Sequence, residues 1–394
     1  MSGREEIEIL VVGGGPAGAT AALLLARSGI EVCLVERRRE YQGKVCGEFV
    51  SAEGVAVLRR LGILERLLSR GALPITHTRI HSASGDAFDS TLPRSAGEGG
   101  IGISRRLLDE ALLADAAAAG ARIFRGARLS GLSRVASRWV ARVHREGSTA
   151  TLSARVVLGA DGRNSKVAEL AGLAGTLPNV GMGLQNHFLR LSPSDGRVDL
   201  FLLRGGYAGL VPVEQGRWCL GALLFRSAAA NPFTDLTASL ATTSGARAIL
   251  ASLGDRLDQG ATHPIRIGMR RPTTTGLLLA GDAAGSVDPF SGQGIALALM
   301  GGEAAAESIL GILRGRESPA RLGYRDFLRR EVGSRLIVTA LLRRILERPG
   351  LAQACVSAFR RHPILASRLV GLTRNSGGPF LGPLPRLAAR FLLK

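Results

Sequence analysis

Cysteine is scarce in this 394-residue chain, and its four copies, Cys33, Cys46, Cys219 and Cys355, include no C-x-x-C pair. That spacing suggests neither a zinc site nor a disulfide framework, so no metal is expected and a reducing cytosol fits best. Aromatic residues make up only 4% and are not interleaved with basic ones, which argues against nucleic acid as a partner despite a formal net charge of +19. No uninterrupted apolar stretch approaches the ~18 residues of a membrane span. The opening Arg4-Glu5-Glu6, ahead of an apolar run, is the wrong layout for a secretory signal. The expected location is the cytoplasm, with any membrane contact peripheral, on the inner face. Internal repeats and low-complexity blocks are lacking too.

Apolar residues and glycine are plentiful, at 46% and 52 positions, the profile of a globular chain that needs many tight turns and close backbone approaches. The length suits two intimately joined domains. The positive charge is uneven: from Arg325 to Lys394, fourteen Lys/Arg face only Asp326, Glu331 and Glu347. In that tail Leu, Ile, Val and Phe recur with Arg at helical spacing through Arg343-Arg344, Arg360-Arg361 and Arg386–Lys394, while Pro349, Pro363 and the cluster Gly377–Pro385 divide it into short helices. Two readings stay open: an amphipathic lid that docks on a membrane to admit a lipid or quinone, or helices that cover the substrate domain with Arg stems lying on apolar surface.

The most specific signal is N-terminal. A β-branched run, Ile7 to Val12, feeds Gly13-Gly14-Gly15-Pro16-Ala17-Gly18 and then the apolar helix Ala19 to Arg27. Gly13 permits the tight turn, Gly15 lets the backbone approach a pyrophosphate, and Gly18 lets helix and strand pack, leaving the helix N-terminus aimed at the phosphates. A second strand, Glu31 to Val35, ends in Glu36, placed to accept hydrogen bonds from ribose hydroxyls, and Arg37 is a candidate for stacking near an adenine. A carboxylate at that position repels a 2′-phosphate, which favours FAD or NAD over NADP. A second G-x-G-x-x-G match, Gly97 to Gly102, has no strand before it and reads as a glycine-rich loop that matches by chance.

Two further strands end in aspartate: Val156 to Leu158 leads into Gly159-Ala160-Asp161-Gly162-Arg163, and Gly276 to Ala280 into Gly281-Asp282-Ala283-Ala284. Each Asp can reach a ribityl or ribose hydroxyl, or a pyrophosphate, and each alone reads as readily as a turn cap. After Asp282, Pro289-Phe290-Ser291-Gly292-Gln293-Gly294 opens an apolar helix, Ile295 to Leu313, whose N-terminus can stabilise negative charge on a reduced flavin ring.

Taken with the first fingerprint, these segments resemble the flavoprotein hydroxylase superfamily, the para-hydroxybenzoate hydroxylase fold that also includes geranylgeranyl reductases and flavin-dependent halogenases. The resemblance spans most of residues 5 to 330. It implies an α/β fold: a Rossmann-type FAD-binding domain (1–80, 100–175 and 265–330) with an inserted β-sheet substrate domain (81–99 and 176–264) and a basic helical C-terminal region (331–394). It implies that the Gly-Asp segment holds the ribityl chain, that the Asp-Gly segment touches the pyrophosphate, and that Arg105, opening the helix of Ile103-Ser104-Arg105-Arg106, binds near the flavin phosphates.

Gly43-Lys44-Val45-Cys46-Gly47-Glu48 resembles the Cys-Gly segment of geranylgeranyl reductases more than the arginine-containing stretch of phenol hydroxylases. Lys44 and Cys46 are expected at the cofactor, with Cys46 and Glu48 also candidates to polarise or protonate substrate. Alternating segments Gly183–Leu191, Val198–Leu203, Tyr207–Val213 and Arg217–Phe225 predict a sheet over the flavin. Tyr207 is the candidate pocket residue there, where the family's common tryptophan is missing. Glu169 stands where many hydroxylases carry arginine, and the tryptophan-rich halogenase motif is absent. The expected chemistry is therefore FAD-dependent, with NAD(P)H as a transient reductant and a small apolar or aromatic substrate. Reduction of a carbon-carbon double bond is preferred; the alternatives are monooxygenation of an aromatic or quinone-like ring and, remotely, a non-catalytic basic binding module.

Overall fold

The computed structural model describes residues 4–40, 43–190, 194–226 and 231–374. The tail segments Gly377–Pro385 and Arg386–Lys394 lie outside the described residues.

Ile7, Ile9, Leu10 and Val11 are all buried, the near-continuous apolar run of a strand covered on both faces. This strand, Arg4–Val12, lies parallel to Val32–Glu36 on one side and to Ser148–Gly159 on the other. Arg122–Arg125 and Leu277–Leu279 extend the parallel set outward. Ala127–Val135 and Arg138–Arg145 add an antiparallel meander to it. Helix Pro16–Arg27 begins with proline at its first turn, which the missing N–H of that residue permits, and packs against the long helix Gly294–Leu313. Gly302 allows this approach, since a Cβ there would lie 2.5 Å from the Ala17 carbonyl oxygen. Among the described residues Gly294–Leu313 is long and apolar enough to cross a membrane, longer than the sequence reading allowed because Glu303 and Glu307 interrupt the run without breaking the helix, but it is mostly buried within the protein.

The second sheet has seven strands in the order Arg256–Arg266, Asn179–Leu189, Arg217–Leu224, Gly206–Pro212, Arg197–Leu203, His77–His81, Ala87–Thr91. All neighbours are antiparallel except His77–His81 with Arg197–Leu203, which run parallel. His77–His81 belongs here, across the boundary expected at residue 80, because it pairs on one side with Ala87–Thr91 and on the other with Arg197–Leu203, more than a hundred residues later. The glycine-rich stretch also departs from expectation. Ala87–Thr91 does precede it as a strand, alternating buried Phe88 and Ser90 with exposed Asp89, and Gly100–Gly102 is itself a strand between Phe49–Val50 and Leu73–Ile75. Gly102 sits so close to the second sheet that a Cβ would lie 2.0 Å from the Pro212 carbonyl oxygen.

The C-terminal helices Ser334–Leu346, Pro349–Arg361 and Pro363–Arg374 follow. Asp86, at the turn before the outermost strand, accepts hydrogen bonds from Gln353 (3.0 Å) and Ser357 (2.7 Å) and pairs with Arg360 at 2.9 Å. Phe359 meets Phe88 edge-on, with ring centroids 5.4 Å apart. These contacts favour the covering role for the described part of the tail.

Candidate active site

Three parallel strands, ending at Val12, Gly159 and Leu279, deliver their carboxyl ends to one crevice. The Ala160 amide donates to Val12 (2.8 Å) and the Ala280 amide to Gly159 (2.8 Å), so the two aspartate segments flank the glycine turn. Gly13 has φ +104°, and a Cβ on it would lie 2.4 Å from the Ala160 carbonyl oxygen. A Cβ on Gly18 would lie 1.9 Å from the carbonyl oxygen of Gly13. Both glycines are dictated by packing. Gly15 differs: the nearest atoms to a Cβ there are Lys44 Nζ at 3.2 Å and an Arg105 nitrogen at 3.9 Å, two cations over the start of helix Pro16–Arg27. Pro16 and Ala17 form its first, buried turn.

Arg105 is buried and makes a bidentate pair with Asp109 (3.0 and 2.6 Å). Burial works against its charge, but Asp109 and Cys46 outweigh that and raise its pKa. Burial, then Arg105, push the Lys44 ammonium down. Glu36, also buried, accepts from the Gly14 amide at 2.7 Å and the Arg38 amide at 3.0 Å, holding the glycine turn against the second strand, and Arg37 is exposed.

Asp161 accepts from Ser165 Oγ (2.5 Å) and the amides of Lys166 (2.7 Å) and Val167 (3.1 Å), which caps the short helix Lys166–Leu170. Its carboxylate is thus committed locally, and burial raises its pKa despite those donors. Asp282 is partly exposed, with Arg163 3.7 Å away. Arg270, which the sequence reading passed over, joins the two segments: it donates to the carbonyls of Arg163 (2.6 Å), Ala174 (2.8 Å), Asp282 (3.1 Å) and Ala283 (3.1 Å). Arg270 thus ties the backbone that follows Asp161 to the backbone at Asp282.

Next to this crevice lies a cavity of about 130 Å³, partly open to solvent, with mostly apolar walls. Cys46, Gly47 and Phe49 form one wall, Pro289 to Gly292 another, and the second sheet most of the rest, including Val198, Leu200, Val211, Leu223 and Tyr207, with Arg163 as the charged lining residue. Tyr207 does line the cavity, but its hydroxyl is spent: it donates to Asp288 at 2.5 Å, and burial raises its pKa well above the ordinary phenol range. Asp288 also accepts from the Phe290 amide (3.0 Å) and pairs with Arg343 at 3.1 Å, while Arg343 lies 4.4 Å from the centre of the Phe225 ring. Gly292 adopts φ +65° before the helix that begins at Gly294. Gln293 is buried there, and its side-chain carbonyl oxygen has no partner among the described residues.

Glu48 is 1% exposed and adopts φ +53°, unusual outside glycine. One carboxylate oxygen accepts from the Arg105 amide at 2.9 Å, and the other bonds His187 Nε2 at 2.7 Å. His187 Nδ1 in turn bonds the half-exposed Asp258 at 2.7 Å. Cys219 donates to the Cys46 carbonyl at 3.3 Å, and Gln185 donates to the same carbonyl at 2.8 Å. Burial raises the pKa of both Cys46 and Cys219, which leaves them as thiols rather than nucleophilic thiolates. None of Gln185, His187, Cys219 and Asp258 was singled out from the sequence. Each is one polar residue in an alternating strand, and only strand pairing gathers them.

The match to a family model for an FAD binding domain runs over residues 6–340. The chain belongs to this FAD-binding family. It is an FAD-dependent oxidoreductase. Digeranylgeranylglycerophospholipid reductase 1 of Methanothermobacter thermautotrophicus is 28% identical over 347 residues, 84% of each chain. A geranylgeranyl bacteriochlorophyll reductase-like protein from Thermoplasma acidophilum shares the fold with a TM-score of 0.74, at 23% identity, over 94% of this chain and all of that one. So does PqsL, described as a probable FAD-dependent monooxygenase from Pseudomonas aeruginosa, with a TM-score of 0.72 at 22% identity, over 90% of this chain and all of that one.

The residues present fit FAD. Two cations over a glycine-lined helix N-terminus suit a diphosphate, and the orphaned buried acceptor of Gln293, beside a second helix N-terminus, suits the hydrogen-bonding edge of a flavin ring.

Proposed function

We propose that this FAD-binding protein reduces a carbon-carbon double bond in an apolar, isoprenoid-like substrate, with NAD(P)H as the transient donor to the flavin. The observation that carries the reading is the apolar cavity walled jointly by Cys46–Gly47 and Pro289–Gly292, with a buried acid between two of its lining residues. The reductase name of the 28%-identical relative supports it.

In this reading Lys44, Arg105 and the turn Gly13–Gly18 hold the diphosphate. Asp161 and Asp282 shape the ribityl side, and Gln293 with the amides at Gly292–Gly294 faces the ring. Bound flavin supplies the hydride. The chain contributes an apolar wall, through Val198, Leu200, Val211 and Leu223, and a proton, through Glu48. The carboxyl of Glu48 is engaged by Arg105 and His187 rather than by the cavity, and its left-handed backbone is a strained position from which the 46–48 segment can turn. Cys46 packs at the wall as a neutral thiol, and Tyr207 shapes the cavity without moving a proton.

The test is anaerobic: the FAD-loaded protein is reduced, an alkenyl lipid is added, and reoxidation is followed by flavin absorbance with product analysis. Substrate-dependent reoxidation without oxygen supports the reading. Reoxidation that needs oxygen and yields a hydroxylated ring establishes the monooxygenase alternative instead.

An apolar substrate of this kind resides in lipid, so we also place the protein peripherally on an anionic membrane. Ile364 (72% exposed) and Leu365 (51% exposed) stand between Arg360-Arg361 and Arg368 and offer apolar contact flanked by charge.

A further inference from the structure

Glu48 lies deep in the protein, yet any proton it gives up in each turnover must be replaced. Its carboxylate bonds His187 Nε2 at 2.7 Å, and His187 Nδ1 bonds Asp258 at 2.7 Å. The exposure rises along this line: the side chains of Glu48, His187 and Asp258 are 1%, 6% and 52% exposed. Two strands of the second sheet, Asn179–Leu189 and Arg256–Arg266, thus connect solvent to a turn 139 residues earlier in the chain.

We propose that His187 and Asp258 are positioning residues that couple the proton on Glu48 to bulk water. The inference rests on the reductase reading for what the proton is used for. Burial pulls the His187 pKa down, but its bonds to Glu48 and Asp258 outweigh this and leave it raised. The charged and titratable groups around the imidazole are Glu48 with Arg105 behind it, Asp258 with Arg217 at 3.4 Å, and the Cys219 thiol within 4.8 Å. Opposite charges at both nitrogens favour the imidazolium, which carries a proton toward each carboxylate.

The step balances. As the hydride adds to one alkene carbon with its electron pair, the proton that His187 holds on Nε2 passes through the Glu48 carboxyl to the neighbouring carbon: the Nε2–H bond breaks and a C–H bond forms there. The Glu48 carboxylate is regenerated, and the neutral ring keeps its Nδ1–H on Asp258. One proton from water, entering on the half-exposed Asp258 side, returns the ring to the imidazolium.

Two measurements on the full-length, FAD-loaded protein test this. Nitrogen-15 NMR of the imidazole across pH is independent of any substrate. The wild-type ring should titrate above an ordinary histidine, and Glu48→Gln and Asp258→Asn should each move it down. An ordinary midpoint that neither substitution moves overturns the coupling. So does zinc found stoichiometrically in the purified protein, because Glu48, His187 and Cys219 stand close enough to share an ion and Nε2 would then be metal-bound. The second measurement is reoxidation of the photoreduced flavin by an alkenyl lipid. Asp258→Asn is expected to shift the alkaline limb of kcat downward by about one pH unit, roughly tenfold in rate there, with KM unchanged. A uniform loss at all pH values points to a structural role and overturns it. If wild-type protein fails to reoxidise with alkenes while the NMR shifts appear as expected, the reductase reading falls and the coupling stands.

Discussion

Gly15 and Gly18 stand three residues apart in one turn but answer to different constraints. A methyl group at Gly18 meets a backbone carbonyl at 1.9 Å, where nothing can give, whereas at Gly15 it meets only the tips of Lys44 and Arg105. Gly18→Ala is therefore expected to abolish folding, read as loss of a cooperative melt. Gly15→Ala should melt as a folded protein yet hold FAD more weakly, by about tenfold or more in Kd, since a tenfold change needs only ~1.4 kcal/mol. Equal damage from both changes excludes this division. Tyr207 gives a second contrast at this scale. Its hydroxyl stabilises Asp288, so Tyr207→Phe should cost about 1–2 kcal/mol in chemical denaturation while the rate of substrate-dependent flavin reoxidation stays within a few-fold. The sequence made the glycines legible because their spacing is local. It could not show that Asp161 caps a helix rather than reaching outward, because capping and ligand contact ask for the same Asp at the same strand end.

Helix Ser334–Leu346 shows how far a single element reaches. Arg343 pairs with Asp288, donates to the Val180 carbonyl at 2.6 Å and stacks on Phe225, so the tail is fastened to both the second sheet and the turn before Gly292. The side chains of Arg343 and Asp288 are 12% and 2% exposed, and removing one partner leaves a buried charge. Arg343→Ala is expected to lose roughly 3 kcal/mol of stability and to loosen FAD retention on gel filtration. A loss of less than about 0.5 kcal/mol, typical of an exposed pair, counts against the fastening. Patterning foretold the helices Pro16–Arg27 and Gly294–Leu313 and four of the seven strands of the second sheet to within a few residues, but not Arg256–Arg266, His77–His81 or Ala87–Thr91. It missed the strand Gly100–Gly102, whose pairing partners lie about 30 and 50 residues upstream and whose glycines carry no alternating signal.

At the scale of the whole molecule the raised His187 pKa has a definite sign. A group whose folded pKa exceeds its unfolded value stabilises fully below the unfolded value, about 6.5 for histidine, and loses that contribution as pH rises through the folded value. Wild-type stability should therefore fall relative to Asp258→Asn as pH is raised from about 6 toward the folded-state midpoint, checked by paired urea titrations. A constant difference across that window removes the linkage. The net charge of +19 adds a prediction about surfaces. The protein should co-float with vesicles containing phosphatidylglycerol but not with pure phosphatidylcholine, and Ile364→Asp with Leu365→Asp should weaken this severalfold without changing FAD content. No binding to either vesicle eliminates the membrane placement.

The bond between Arg343 and Asp288 bears on how such proteins can be recombined. The tail cannot be treated as an interchangeable appendage, because its arginine helps fix the turn on which the isoalloxazine would rest. Grafting the last helices from a relative would disturb that turn, and a graft that keeps an arginine facing Asp288 should be the one that still turns yellow.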